Sequence, residues 1–369
     1  MKRICIAGGG SAALIAARAL DDGLYGRRNV RAVFVHDGAY ADWTPLLPEI
    51  ASGLTTARTA RLRLDDLLDD GRVQCVDDRV TGLDLDRRTV LGAGAEYHFD
   101  LLILAPQPVL PPVTGGWLPY ARVADAARIS RSILSLAAAP VADARSQRIL
   151  VRGSGRRAIE LVTALAWGCG TALASRAMAP FEVYLWTDEE VDLGDEAQVR
   201  IVTEEVDASL RIDAREGSAP GWIADTDLPV DDAGRLLVAD NLAVRGRHDV
   251  FGVGPLIARS SGRAWPATSV TDWQMGNLAA DNARMELVGA SHEPLVAWPI
   301  ERVLRLGPND GRAQVAGMKL RGELARSVAR LLVAGTIPTF TKKLAVMGEW
   351  ARAGRTGGEW ATLPLPKGL

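Results

Sequence analysis

Cysteine is scarce in this chain, and its three cysteines lie far apart. Cys5, Cys75 and Cys169 form no CxxC or CxxxxC pair, which argues against the disulfide framework of a secreted protein and against a redox-active disulfide. The sequence also lacks an apolar run of about 18 residues, the length that a membrane span needs. Its N-terminus has no hydrophobic stretch typical of a signal peptide. These absences predict a cytoplasmic protein.

An excess of charge of one sign is also missing. The 43 Lys and Arg against 45 Asp and Glu leave a net charge of −2, which disfavours a nucleic-acid partner held by phosphate neutralisation. The four histidines lack the spacing of metal ligands, so no metal site is expected. No G-x-S-x-G follows a strand, which argues against a serine hydrolase. With 369 residues, 48% of them hydrophobic, the chain can bury a core and form two domains.

Glycine, by contrast, is concentrated in two turns that each join a short apolar strand to a helix. The first turn reads G-x-G-x-x-A at Gly8, Gly10 and Ala13, between a strand at residues 3–7 and a helix from Leu14. The first glycine permits a sharp turn, the second permits close approach of a pyrophosphate, and the small third residue lets the helix pack on the strand. The N-terminus of the helix attracts phosphate. This pattern predicts a dinucleotide-binding βαβ unit.

The second turn repeats the pattern at Gly153 and Gly155, with a helix expected from Ile159 to Trp167. Its arginines, Arg152, Arg156 and Arg157, either clamp a pyrophosphate bidentately or face solvent. The next strand, 181–186, ends in three carboxylates, Asp188, Glu189 and Glu190. Carboxylates there can accept hydrogen bonds from ribose hydroxyls and repel a 2′-phosphate, so NADH is preferred over NADPH. An inherited fold with a solvated acidic loop is the open alternative.

A longer segment gives these turns a family context. Residues 43–53 (WTPLLPEIASG) resemble the F-T-P-L-L-x-E-V-A-x-G segment beside the flavin in type II NADH dehydrogenase-like proteins, which are flavoproteins with two dinucleotide-binding domains. The resemblance covers almost the whole chain, without the redox cysteines of the wider pyridine nucleotide-disulfide oxidoreductase superfamily. The other segments that carry it are 80–84, 97–105, 249–254, 274–276 and 317–322.

The resemblance implies an α/β fold of two Rossmann-like domains, the second inserted in the first, followed by a C-terminal helical region. An FAD-binding-type domain would comprise residues 1–114 and 237–300, and an NAD(P)-binding-type domain residues 115–236. Residues 301–369 would form the acceptor site and contact a second copy or a membrane surface. The implied activity is that of an FAD-dependent NAD(P)H oxidoreductase that reduces a quinone or another small organic acceptor.

The resemblance also implies functional residues. Glu160 falls at the family's helix glutamate near the flavin, where it would relay protons or orient the nicotinamide; placement by the helix dipole alone is the open alternative. Gln274 falls on the first of two adjacent glutamines near the quinone, and Met275 replaces the second. Flavin contacts, besides Gly8, Gly10, Ser11 and Ala13, are expected from Asp37, Trp43, Thr44, Pro45, Val80, Ala105, Gly254 and Pro255.

Several departures from the family pattern cluster on the flavin site. His36 stands where the family has the acid that binds the adenosine ribose, with Asp37 one residue later. Pro106 and Gln107 replace the Thr and Gly that follow Ala105 in the family, and Pro255 replaces an aspartate. Each lost hydrogen bond weakens binding by about 1–3 kcal/mol. The alternative function is therefore a repurposed member with weakened or lost FAD binding, a tailoring enzyme or cyclase of small-molecule biosynthesis. A non-catalytic binding protein is a third reading.

Apolar residues recur at helical spacing near the C-terminus, at Leu320, Leu324, Val328, Leu331 and Leu332. This face packs on the core or on a second copy in a homodimer, or it lies on a membrane surface. In the last case the protein would be peripheral on the cytoplasmic face of a membrane. The sequence leaves these readings open.

Overall fold

A computed structural model describes residues 1–68, 71–138, 148–173, 181–191, 193, 198–262, 265–266, 268–305 and 311–356. The strands in this part of the chain are β1 Lys2–Gly8, β2 Val30–His36, β3 Tyr40–Asp42, β4 Arg61–Arg63, β5 Val73–Asp77, β6 Val80–Asp84, β7 Thr89–Gly92, β8 Glu96–His98, β9 Leu101–Ala105, β10 Trp117–Pro119, β11 Arg148–Arg152, β12 Glu182–Trp186, β13 Val199–Val202, β14 Leu210–Asp213, β15 Leu236–Val238, β16 Val250–Gly252, β17 Ile257–Arg259, β18 Ile300–Arg305, β19 Gly311–Val315 and β20 Met318–Arg321.

The α-helices of the same residues are α1 Ser11–Gly23, α2 Leu47–Ala51, α3 Ala57–Ala60, α4 Leu64–Leu67, α5 Val123–Ala138, α6 Arg156–Trp167, α7 Gly221–Ala224, α8 Ser269–Glu286, α9 Gly322–Thr336 and α10 Phe340–Thr356. A 3₁₀ helix spans Thr44–Leu46, and a π-helical turn spans Gly168–Leu173. Each described helix is too short or too polar to cross a lipid bilayer.

The chain forms two compact units, each made of several chain segments. Unit 1 comprises Met1–Asp42, Leu62–Val109 and Gly217–Pro299, and unit 2 comprises Trp43–Arg61, Leu110–Glu216 and Ile300–Leu369. The predicted domain limits, 1–114 with 237–300, 115–236 and 301–369, divide the chain differently and stay a prediction.

The main sheet of unit 1 is parallel, with strand order β16-β9-β1-β2-β5. Its central strands are buried on both faces, as expected when helices cover a parallel sheet. Helix α1 connects β1 to β2, and α8 packs along α1. A Cβ on Gly276 of α8 would lie 2.5 Å from the carbonyl oxygen of Ala12, so glycine permits this close helix packing. A separate antiparallel sheet has the order β6-β7-β8.

Unit 2 repeats the layout with the parallel order β10-β14-β11-β12-β13. Helix α6 connects β11 to β12, as α1 connects β1 to β2. In each sheet the strand before the glycine turn lies between the strand that completes its βαβ unit and a strand from later in the chain: β1 lies between β2 and β9, and β11 lies between β12 and β14. The strand order therefore reverses at β1 and at β11. Strands β18-β19-β20 form an antiparallel sheet that contacts α9. The predicted α/β fold with two Rossmann-like parts and C-terminal helices is confirmed.

Both helices after the glycine turns begin three residues earlier than expected. Helix α1 begins at Ser11 instead of Leu14, and α6 begins at Arg156 instead of Ile159. Apolar periodicity does not identify a first turn made of small or polar residues, and both helices have such a turn after a glycine N-cap. This shift changes the environment expected for Glu160.

Candidate dinucleotide sites

The glycine turn of unit 1 has the backbone geometry that the sequence predicts. Gly8 and Gly10 have φ of +114° and +86°, values that L side chains rarely adopt. A Cβ on Gly8 would lie 1.9 Å from the carbonyl oxygen of Ala105, so only glycine fits between β1 and β9. A Cβ on Gly10 would meet no described atom within 4 Å. Ala13 is fully buried behind the turn.

Three further predicted residues lie at the same carboxyl edge of the sheet. Ala105 ends β9, and its carbonyl accepts a hydrogen bond from the amide of Gly9 at 3.1 Å. Gly254 follows β16, has φ of +93° and leaves open space where a Cβ would point. Pro255 comes next and is exposed. The structure therefore brings these residues to the end of the sheet where Gly8 turns.

Gln107 also lies against this glycine turn. A Cβ on Gly9 would lie 1.9 Å from the Gln107 side-chain nitrogen, so the amide group covers this side of the turn. The side chain is long and its residue is exposed, so it can move when another group needs the space. The sequence placed Gln107 near the site only as a departure from the family pattern.

The end of β2 holds a buried histidine. His36 Nδ1 lies 3.0 Å from the carbonyl oxygen of Gly38, which can only accept, so Nδ1 carries the proton. Burial lowers the pKa of His36. A neutral imidazole with Nε2 as acceptor therefore stands at the strand end, and the exposed Asp37 follows it. Val80 begins β6 just after Asp77, whose carboxylate accepts from the amide of Gly38 at 2.7 Å.

One contact of unit 1 was not expected from the sequence. Ser11, the first residue of α1, donates its hydroxyl hydrogen to Asp272 Oδ2 at 2.5 Å. Asp272 lies in the first turn of α8. The two residues are 261 positions apart, so no local sequence signal could indicate their contact.

The residues of unit 1 fit the backbone requirements of a bound dinucleotide. Gly10 offers an unfilled approach to the turn, and Gly8 holds β1 and β9 close enough to present it. The N-cap of α1 is Gly10, which has no side chain to satisfy the first amides of the helix. A diphosphate can therefore accept hydrogen bonds from these amides, as at other helix N-termini. The Asp272 carboxylate is the exception to this fit.

The glycine turn of unit 2 is equally tight. Gly153 has φ of +145°, and a Cβ there would lie 2.9 Å from the carbonyl oxygen of Ala214. A Cβ on Gly155 would lie 2.1 Å from Glu216 Oε1, the tip of an exposed side chain. Ser154 donates to Glu189 Oε1 at 2.7 Å. The structure thus brings the predicted acidic residue Glu189 to the turn and adds Glu216, which the sequence did not indicate.

The three arginines around this turn are all bonded within the protein. Arg152 Nη2 donates to Asp213 at 2.7 Å, and its guanidinium lies 4.4 Å from the ring centre of Trp117. Arg157 donates to the carbonyl oxygen of Arg215 at 2.9 Å. Neither side chain faces solvent freely, so that reading is wrong for Arg152 and Arg157. A pyrophosphate clamp would have to share each guanidinium with these partners.

Asp213 anchors this arrangement. Burial alone would raise the pKa of its carboxyl group, but the hydrogen bonds from Arg215 and Arg152 lower that pKa below its usual value. The carboxylate therefore stays charged and holds both guanidinium groups at the end of β14.

Glu160 lies buried on α6. Arg156 donates to its Oε1 from Nε and from Nη2, each at 2.9 Å. Because α6 begins at Arg156, Glu160 is the fifth residue of the helix and lies beyond its first turn. The helix dipole acts mainly on the first turn, so the dipole does not account for this glutamate. Arg156 is engaged mainly with this carboxylate.

The segment expected beside the flavin belongs to unit 2. Trp43 precedes the 3₁₀ helix that contains Thr44 and Pro45. Trp43 is 1% exposed, and its indole nitrogen has no hydrogen-bond partner within the described residues. Buried indole N–H groups normally find an acceptor, so this group can donate to a bound molecule.

Helix α10 is tied to the same segment. Trp350 donates to the buried carboxylate of Glu49 at 2.6 Å. Glu349 accepts from the amide and hydroxyl of Thr56, from Thr59 at 2.6 Å, and from Thr55. The sequence predicted a C-terminal region that completes an acceptor site but did not indicate these contacts.

Gln274 uses both ends of its amide within unit 1. Its nitrogen donates to the carbonyl oxygen of Val296 at 3.0 Å, and its oxygen accepts from the amide of Trp298 at 3.1 Å. The side chain therefore fixes residues 296–298 against α8. Met275, beside it, is buried.

The apolar face predicted on α9 is partly buried. Leu324 and Leu331 are 62% and 67% exposed, whereas Leu320, Val328 and Leu332 are half-buried and Ala325, Ala329 and Val333 are buried. Packing of this face on the core, on a second copy or on a membrane stays a prediction. Helix α10 adds exposed apolar side chains at helical spacing, namely Phe340, Leu344 and Met347.

Comparison with known proteins places this geometry in context. No protein-family model matches the chain. The demethylphylloquinone reductase NdbB of Synechocystis sp. is 26% identical over 398 aligned positions, which cover 97% of each chain. The resemblance to type II NADH dehydrogenase-like flavoproteins is thereby confirmed.

Solved structures support the same fold. The NDH2 of Plasmodium falciparum, determined with NADH, matches with a TM-score of 0.80 at 11% identity, over 97% of this chain and 99% of that one. The sulfide:quinone oxidoreductase of Aquifex aeolicus matches with a TM-score of 0.69 at 15% identity, over 97% and 94% of the two chains. At these identities the likeness establishes the fold, and function must be argued from the sites.

Proposed function

We propose that this protein is an FAD-dependent NAD(P)H oxidoreductase that passes electrons to a quinone or another small organic acceptor. The observation that carries the proposal is a dinucleotide-type glycine turn in each unit, placed where the strand order reverses. A relative named as a demethylphylloquinone reductase, similar over nearly its whole length, supports a quinone as acceptor. The comparisons match oxidoreductases and give no support to the alternative of a tailoring enzyme or cyclase.

The turn of unit 1 is assigned to FAD and the turn of unit 2 to the nicotinamide dinucleotide. FAD, when bound, supplies the group that accepts two electrons from a nicotinamide and passes them on. Gly8, Gly10 and Ser11 present the N-terminus of α1 to the diphosphate. Gly254 leaves backbone space beside it. The flavin contacts of Trp43, Thr44 and Pro45 stay predictions from the resemblance.

NADH is assigned to unit 2 in preference to NADPH. Glu189 lies at the glycine turn, bonded to Ser154. Its charge would repel a 2′-phosphate, while its free acceptor sites suit ribose hydroxyls. A structural relative determined with NADH supports this assignment.

Two residues receive positioning roles. Arg156 fixes the Glu160 carboxylate in one orientation, which suits a group that orients a nicotinamide in unit 2. Gln274 fixes residues 296–298 with both ends of its amide, and its role near the acceptor stays a prediction from the resemblance.

For the C-terminal helices we infer a peripheral contact with a membrane surface. The exposed apolar side chains of α9 and α10 support it, because large apolar groups at helical spacing are typical of interfacial helices. Vesicle sedimentation tests this: Leu331→Glu and Phe340→Glu should reduce binding to phosphatidylglycerol vesicles, whereas Val288→Glu, at another exposed apolar position, should not. Unchanged binding, or a dimer in sedimentation velocity that these variants dissociate, would favour the homodimer. The cytoplasmic location stays a prediction.

Steady-state turnover tests the proposed function. The purified chain, supplied with FAD, should oxidise NADH faster when a soluble naphthoquinone or benzoquinone is added. Two variants are compared with the wild type. Asp213→Asn removes the charge that holds Arg152 and Arg215 in unit 2, and Gly10→Ala places a methyl group in the proposed FAD approach in unit 1. If NADH oxidation does not depend on added FAD or on a quinone, the proposal is wrong.

A further inference from the structure

The N-termini of α1 and α8 meet at the carboxyl edge of the unit 1 sheet. Ser11 contacts Asp272 near the start of both helices, Gly276 packs on Ala12 one turn further, and Arg284 reaches Gly23 at the other end. These three contacts occur in the same order along both helices, so α1 and α8 are parallel. Each N-terminus carries a partial positive charge of about +0.5, and the two add at this edge.

An anion already lies at this convergence. Asp272 is half-buried, belongs to the first turn of α8 and accepts from the hydroxyl of Ser11 at the first position of α1. A carboxylate here is stabilised by both helix N-termini. The same electrostatic features attract a diphosphate to the N-terminus of a helix.

We infer that Asp272 competes with the diphosphate of FAD for the N-terminus of α1 and sets the affinity of the flavin site. This inference rests on the proposed function, because it takes unit 1 as the FAD site. When a diphosphate binds, the carboxylate either leaves Ser11 or remains nearby as a repelling charge. In both cases the turn binds FAD more weakly than it would without the Asp272 charge. Bound FAD therefore exchanges with free FAD.

The chain offers a matched control on the same helix. Asp281 pairs with Arg284 within α8 and lies nine residues beyond Asp272, about 13 Å along the helix axis. Asp281→Asn removes the same unit of charge from α8 away from the turn. Asp272→Asn keeps the shape of the side chain and an acceptor for Ser11, and removes the charge.

The experiment measures dissociation constants of the full chain for FAD, riboflavin and NADH. Asp272→Asn should bind FAD about tenfold more tightly or better, as expected when a like charge is removed close to a phosphate. Its affinity for riboflavin, which has no phosphate, and for NADH should equal that of the wild type. Asp281→Asn should match the wild type for all three. Thermal unfolding checks the folding of each variant, and Asp272→Ser replaces Asp272→Asn if the latter does not fold.

The outcomes separate this inference from the proposed function. If the wild type binds FAD and Asp272→Asn binds it equally or more weakly, the inference is wrong and the proposed function stands. An equal gain in riboflavin affinity also contradicts it, because competition for the phosphate position cannot affect a ligand without phosphate. If neither folded protein binds FAD at millimolar concentration, the proposed function fails and the inference fails with it.

Discussion

At the residue scale, the space that a Cβ would occupy distinguishes glycines that the fold requires from glycines that a ligand could contact. At Gly8 a Cβ would overlap the backbone of β9, so this glycine is required for the fold itself. At Gly10 and Gly254 the φ angle is positive but the space is open. An open position at the end of a sheet where the strand order reverses is available to a ligand.

The first prediction concerns Gly10. Gly10→Ala should weaken FAD binding by about tenfold or more, because the methyl group enters the open approach and the backbone is strained at φ of +86°. Gly26→Ala is the matched control, since Gly26 has φ of +77° and the same open surroundings in a surface turn. Both variants should lose about 1 kcal/mol of stability. If the two variants bind FAD equally well, Gly10 does not belong to the FAD site.

The second prediction concerns the choice of nicotinamide dinucleotide. Glu189→Gln keeps an acceptor for Ser154 but removes the charge at the glycine turn of unit 2. The ratio of kcat/KM for NADH to that for NADPH should fall by about tenfold, because repulsion of the 2′-phosphate is lost. Glu204→Gln, exposed after β13, is the control. If Glu189→Gln has the same ratio of kcat/KM values as the wild type, the charge of Glu189 is not the cause of the preference for NADH.

At the scale of elements, local patterns in the sequence predicted the strands and helices well but did not predict the contacts between them. Apolar runs identified β1 and β12 to within one residue at each end, because parallel strands are buried on both faces. The contact of Ser11 with Asp272 joins residues 261 positions apart, and no pattern in one sequence shows such a pair. The apolar residues on α9 were identified, but the sequence could not tell which of them are buried, because burial depends on tertiary packing.

The third prediction concerns the attachment of α10. Burial alone would raise the pKa of Glu349, but hydrogen bonds from Thr55, Thr59 and Thr56 together lower it. Glu349→Gln should therefore lower the free energy of unfolding by about 1–2 kcal/mol at neutral pH, since a charged acceptor is lost. Urea unfolding measures the change, and Glu190→Gln, an exposed residue of unit 2, should show none. Equal stability of wild type and Glu349→Gln would exclude these bonds as an anchor of α10.

The pH dependence of this contribution has a definite sign. The pKa of Glu349 is lower in the folded chain than the ordinary value of 4.5. The stabilisation is therefore fully present above about pH 4.5 and is lost as the pH falls through the lowered value. The difference between wild type and Glu349→Gln should vanish in strong acid. A difference that grows on acidification would contradict the charged acceptor.

At the scale of the whole molecule, the same sheet layout occurs twice with different surroundings at the turn. In unit 1 the turn faces Gln107 and Asp272, and in unit 2 it faces Glu189 and Glu216. The sequence predicted the repeated fold and both turns, because βαβ units have a local glycine signature. It also predicted the carboxylate of Glu189, but it did not indicate Asp272 or Glu216, which other segments bring to the turns. We propose that these charges, more than the fold, decide which dinucleotide binds and how tightly.

We propose that one turn binds FAD, that the other binds NADH, and that electrons pass from NADH through FAD to a quinone. The most direct test is the visible absorbance of the FAD-loaded protein under anaerobic conditions, first with NADH and then with a quinone. NADH should bleach the flavin absorbance, and the quinone should restore it. A folded protein that binds FAD but keeps its absorbance in excess NADH would show that electrons do not pass from NADH to FAD.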